Sequence, residues 1–252
     1  MLDGSGTGVS TALTRTGLFP GPRLWWAAVT GGGPEQPAAA DPDREFTSQA
    51  RRDQGETARR TLRAALTELG LTTGEGDPQR ILPDPPSAVR RVRVDGRRLR
   101  PDLQFSLAHT ARHAVVAIRR TDGPATGLGV DAEDDWDGAG RNLHRFGTRA
   151  ELDLIAADHP GAHPLHLWCA KEALAKATGH GFAVPPRRHR LLAGDGAPHT
   201  LLLEIAENHR TAAPRPARVR VGTRRTWPPT AWAVAELPLT GTANEGSEHR
   251  SP

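Results

Sequence analysis

Two stretches of helical periodicity stand apart in a chain that is otherwise cut into short runs. In the first, Ala58, Leu62, Ala65 and Leu69 recur at three- and four-residue steps with arginines between them, which predicts a helix over residues 48–69 ended by Gly70. The second runs over residues 165–178 and is closed by Gly179. A shorter helix is expected over residues 149–157. The rest reads as strands. LWWAAV at 24–29 is a buried one, and residues 89–94 alternate, with Val92 and Val94 on one side and Arg91 and Arg93 on the other. Residues 105–109, 114–118, 128–133, 190–192, 201–205, 219–221 and 231–235 are further candidates. Pro/Gly-rich connections at 31–43, 71–88 and 121–127 separate them.

A helix followed by several strands therefore occurs twice. The expected fold class is α+β: two similar halves, each a helix packed on a small, mostly antiparallel sheet, related by a pseudo-two-fold. The halves are expected at residues 21–125 and 126–238. Residues 1–20, rich in Gly, Ser and Thr, and the polar residues 239–252 are expected to be disordered.

Composition narrows the functional classes. The formal net charge of +4 suits a partner with phosphates or an acidic surface. It is too mild to argue for a nucleic-acid protein, and the chain lacks a stacking-aromatic motif or a zinc pattern. The lone cysteine, Cys169, permits no internal disulfide and points to a reducing compartment. No apolar run is long enough to span a bilayer, and the first residues lack the apolar centre of a signal peptide. A soluble cytoplasmic protein is expected. Arginine has displaced lysine almost everywhere: the two lysines, Lys171 and Lys176, sit five positions apart in one helical segment.

Two segments carry chemistry. On a strand, Leu128, Val130 and Ala132 share one face, and Asp131 and Glu133 share the other. Two carboxylates so placed repel each other unless a cation sits between them, and magnesium takes such oxygens together with water and phosphate. Gly129 lets something approach the backbone closely. A solvated acidic strand end is the plain alternative, since Asp134, Asp135 and Asp137 extend the acidic run. In the second segment, Trp168, Glu172 and Lys176 recur every four residues and line one helical stripe, with Lys171 beside it. An ordinary surface helix with a Glu–Lys pair is the alternative there.

Gly-Val-Asp-Ala-Glu at 129–133 followed by Trp-Cys-Ala-Lys-Glu-Ala-Leu-Ala-Lys at 168–176, with 41 residues from Asp131 to Glu172, resembles the phosphopantetheinyl transferases. The resemblance is to their monomeric, two-half group, of which the activator of surfactin synthetase is the best-known member. Phe105–His109, Arg60-Thr61-Leu62, Phe146–Glu151 and Gly179–Phe182 resemble further family segments. The chain departs from the pattern at Ala108, where the family has serine, with Thr110 a substitute, and at Gly96-Arg97-Arg98, where the family has Gly-Lys-Pro.

The resemblance implies transfer of phosphopantetheine from coenzyme A to a serine of an acyl or peptidyl carrier protein, with Mg2+. It implies Asp131, Glu133 and Glu172 as metal ligands, and Glu172, Lys176 and Asp131 as the catalytic group. It places coenzyme A against His109, Arg60, Thr61, Arg97, Arg98, Ser106, Thr110 and Lys171. No nucleic acid or membrane partner is expected. The rival reading is a non-catalytic or repurposed member of the same fold that binds coenzyme A or a carrier domain.

Overall fold

The structure, a computed structural model, describes residues 14–16, 22–28, 43–71, 82–83, 92–94, 97–98, 103–120, 126–136, 143–159, 162–179, 184–193, 197–206, 215–225 and 229–238. In chain order its elements are β1 (Thr14–Thr16), β2 (Arg23–Ala28), α1 (Asp43–Glu68), β3 (Leu82–Pro83), β4 (Val92–Val94), β5 (Arg97–Arg98), β6 (Leu103–His109), β7 (His113–Arg120) and β8 (Thr126–Glu133). There follow α2 (Leu143–Phe146), α3 (Arg149–Asp158), α4 (Pro164–Ala177), β9 (Arg190–Leu191), β10 (Thr200–Ile205), β11 (Arg215–Arg224) and β12 (Thr230–Pro238).

The strands form one sheet of order β1-β2-β7-β6, a second of order β8-β12-β11-β10-β9, and a small third of order β3-β4-β5. Every pairing is antiparallel. The fold is α+β, with a helix on each of the two larger sheets. Within the stretch 1–20, Thr14–Thr16 pairs with Leu24–Trp26 as an edge strand. An edge strand needs only one backbone partner, so its polar side chains do not betray it. The tail at 239–252 lies outside the described residues.

Strand alternation explains the layers. Trp25, Phe105, Val116 and Ile118 pack with Leu62, Ala65 and Leu66 of α1. Their neighbours Leu24, Trp26, Ala108, Val115 and Ala117 pack instead with Leu128, Val130, Ala132 and Val234 of the second sheet. On the far side of that sheet, Ala231, Ala233, Ala235 and Leu237 of β12 join Leu167, Ala170, Ala173 and Leu174 of α4. The order is helix, sheet, sheet, helix. Both sheets are covered on both faces, which is why β7 reads as the unbroken apolar run AVVAI. Each large side chain so buried contributes roughly 1.5–3 kcal/mol.

Polar links also cross between the sheets. The Ser106 hydroxyl accepts from the Val130 N–H at 3.0 Å, tying edge strand β6 to β8. Glu236 of β12 takes Arg119 of β7 at 2.5 Å and Arg220 of β11 at 2.8 Å. His113 of β7 meets the Thr230 hydroxyl of β12 at 3.1 Å. Among the described residues no helix is long and apolar enough to cross a membrane.

Candidate active site

The site forms where α4 crosses β8. The helix ends are specified locally: Pro164 takes the first helical position, and the His163 ring accepts from the Leu165 N–H. What brings α4 close is glycine. A side chain on Gly129 would place its Cβ 1.8 Å from the Ala173 carbonyl oxygen, and one on Gly127 would lie 2.0 Å from that of Ala177. The close approach foreseen at Gly129 is thus the backbone of α4 itself.

Gly127, Gly129, Asp131 and Glu133 alternate along β8, so the two carboxylates share the helix-covered face. Asp131 is buried beneath α4, so it is not part of a solvated strand end. Lys176 reaches it from the helix. Its Nζ donates to Asp131 Oδ1 at 2.7 Å, to the Val130 carbonyl at 3.0 Å and to the Leu107 carbonyl at 3.4 Å. The helical Glu172–Lys176 spacing therefore serves a contact with β8.

Glu172, one turn before Lys176, is half-buried in the same region. Burial raises its carboxyl above the ordinary glutamate value and the charge of Asp131 adds to this, while Lys176 opposes them. Glu133 is raised too, chiefly by burial, against hydrogen bonds from the Asp134 and Asp135 N–H groups. A carboxylate whose charge raises two half-buried neighbours favours a cation among them. Among the described residues no three His, Cys, Asp or Glu groups are gathered closely enough to hold an ion unaided. The donor set still fits magnesium, which takes one or two carboxylates and completes its shell with phosphate and water.

The other expected site residues divide. His109 ends β6 on an exposed position, two residues beyond the Leu107 carbonyl that Lys176 touches. Arg97 and Arg98 form β5, with their side chains outside what is described. Arg60 is exposed on α1 and pairs with Glu56 one turn away.

Four others, expected against coenzyme A, have partners inside the fold. Ser106 is wholly buried on Val130. Thr61 is wholly buried and donates to the Thr57 carbonyl within α1 at 2.8 Å. Thr110 closes the β6–β7 turn, its hydroxyl accepting from the N–H groups of Arg112 and His113 at 3.0 Å each. Lys171 leaves α4 on another side and is fully buried, its Nζ 2.7 Å from Glu151 Oε1. Burial lowers the Lys171 pKa, and Glu151 opposes that.

Glu151 is the residue that sequence reasoning passed over. Its Oε1 also accepts from the Leu191 N–H at 2.8 Å, and its Oε2 from the Thr148 N–H at 2.9 Å. It thereby joins α3, α4 and β9. The signal was present, because Thr148-x-x-Glu151 is a capping box. Cys169 is buried, with Sγ 3.7 Å from the Ala231 carbonyl and its thiol pushed far up by burial, so it is a packing residue. Ala108 points into the core between the sheets.

Residues 127–234 match the family model of the 4'-phosphopantetheinyl transferase superfamily. The matched segment contains β8 from its second residue on, α4 and every acidic residue of the site. No curated protein matches the chain. The family match supports phosphopantetheine transfer as the general activity.

Proposed function

We propose that the protein transfers phosphopantetheine from coenzyme A to a serine of an acyl or peptidyl carrier protein, as a cytoplasmic monomer. We read its two helix-on-sheet halves as pseudo-two-fold equivalents with coenzyme A between them. The observation that carries the reading is the meeting of Asp131, Glu172 and Lys176 at the α4–β8 crossing, inside the segment that matches the superfamily.

Asp131, Glu133 and Glu172 would hold the magnesium ion, with phosphate and water completing its shell, and the ion would supply charge neutralisation on the pyrophosphate. Glu172, directly or through water, takes the proton of the carrier serine. The serine oxygen bonds to the phosphorus that carries pantetheine, and the bond from that phosphorus to the adenosine bisphosphate oxygen breaks. Lys176 steadies the phosphate charge. His109 at the end of β6, with Arg97 and Arg98, meets the nucleotide phosphates through charge-assisted hydrogen bonds.

The rival reading of a non-catalytic binder drew on the missing serine at Ala108. That position faces the inter-sheet core, so its change to alanine removes nothing from the cleft.

The test is mass spectrometry of a panel of apo carriers incubated with the protein, coenzyme A and Mg2+. The expected result is one added phosphopantetheine on at least one carrier. Asp131→Asn should slow that gain on the order of 100-fold or more. A folded protein that shifts no carrier in a broad panel would overturn the reading.

A further inference from the structure

We propose that Lys176 is the resident counter-cation of the carboxylate site, and that a divalent ion must take Asp131 from it, so that metal and phosphate bind cooperatively. The inference rests on the transferase reading above and adds to it how the site is loaded.

An ammonium has three protons and no acceptor. The three contacts of Lys176, to Asp131 Oδ1 at 2.7 Å, the Val130 carbonyl at 3.0 Å and the Leu107 carbonyl at 3.4 Å, use all of them. In this arrangement no N–H is left for a phosphate. The pair is largely shielded from solvent, with 21% of the Lys176 side chain and 12% of Asp131 exposed, so the charges are weakly screened.

The ammonium therefore stands against the carboxylate that a divalent ion needs, and like charges on one carboxylate oppose each other. An ion that takes Asp131 removes the shortest of the three contacts. The two carbonyls then hold the ammonium beside the site, with one N–H released toward an incoming anion. A phosphate that draws Lys176 off Asp131 eases entry of the ion, and by linkage the ion favours the phosphate equally. Lysine suits this exchange because its three donors converge on one nitrogen at the end of a flexible stem, whereas the fork of arginine is flat and rigid. In a chain with two lysines, this one gathers three oxygens from strands of both large sheets.

The test uses the full chain and Mn2+ alone, with binding read by electron paramagnetic resonance. Lys176→Met should bind Mn2+ about tenfold more tightly than the parent or better, because a competing charge is gone. Equal or weaker binding overturns the exchange.

A second measurement needs no variant. With lysine labelled at 15Nζ the parent gives two side-chain ammonium signals. Saturating Mg2+ should shift that of Lys176 and leave that of Lys171, sealed against Glu151, in place. A Lys176 signal that stays put overturns the exchange as well. A parent that binds Mn2+ while its variant gains nothing sinks the exchange alone. A parent that binds no Mn2+ at millimolar concentration sinks the metal part of the transferase reading and the exchange with it.

Discussion

The two large sheets each lie under a helix, but the two contacts are built differently. Beneath α1 the packing is mostly bulk against bulk: Leu62 and Leu66 meet Trp25, Phe105 and Ile118. Thr61 and Arg60 bond within the helix, and Glu68 accepts from the Trp25 indole N–H at 2.9 Å. Beneath α4 the strand presents Gly127, Gly129, Asp131 and Glu133, and the helix answers with Ala173 and Ala177. Small residues bring two backbones close enough for Glu172 and Lys176 to reach strand carboxylates. The first contact is built for adhesion. The second gives up apolar area on one strand, holds charge in its place, and is anchored on its other side by Glu151.

The contrast can be broken hardest at Gly129. Gly129→Ala drives a methyl into the α4 backbone, which no side-chain rotation relieves. The expected loss is on the order of 4–5 kcal/mol or outright failure to fold. A variant with the parent's denaturant midpoint would mean that the helix is free to lift.

The next effect is at the anchor. Lys171→Met leaves Glu151 charged beneath α4 and should cost about 3–5 kcal/mol. Adding Glu151→Gln should recover part of that, because the uncompensated charge is removed. Chemical denaturation of the single and double variants reads both numbers. No recovery would show that the pair acts through shape alone.

A smaller, pH-dependent difference sharpens the comparison. Burial first, and Asp131 second, raise the Glu172 carboxyl above its ordinary 4.5. As pH rises, Glu172 ionises in the unfolded chain before it does so in the folded one. Its ionisation therefore costs folded stability between the ordinary and the raised value, and the cost then stays constant. Replacing Glu172 by Gln should flatten that part of the curve of stability against pH. A stability curve unchanged by Glu172→Gln would remove this residue from the coupling.

The smallest effect has the opposite sign and belongs to α1. Gly55 sits inside the helix, and its nearest neighbour to a built Cβ is the flexible end of Arg59 at 3.7 Å. Gly55→Ala should stabilise by up to about 1 kcal/mol. Thermal unfolding of this variant beside Gly129→Ala compares the same substitution in open space on α1 and against the backbone of α4, with opposite outcomes expected.

Much of the fold could be read from periodicity. The steps of Ala58, Leu62 and Ala65, the alternation of Val92 and Val94 in β4 and the apolar runs of β2 and β7 each point to an element that is present, because side-chain period follows backbone geometry. Edge strand β1 and the short pairings of β3 and β5 escaped, since strands of two or three residues are too short to show a period. For the site, the carboxylate strand and the Glu172–Lys176 stripe were legible as motifs. The positions of Ser106, Thr61 and Thr110 were not, because a hydroxyl bonded to nearby backbone and one bonded to a ligand look alike in one dimension.

The two lysines mark the boundary between what the sequence determined and what the tertiary structure decided. Their spacing of five on a helix fixes them roughly 140° apart around the axis, so they cannot serve the same point. Sequence alone determined that separation, along with the strand that carries Asp131 and Glu133 on one face. Which lysine meets a carboxylate of β8 and which is sealed against Glu151 was decided only by packing. α4 is covered on one side by β8 and β12, while Glu151 brings α3 and β9 to it elsewhere, and helical periodicity carries no record of what lies against each face.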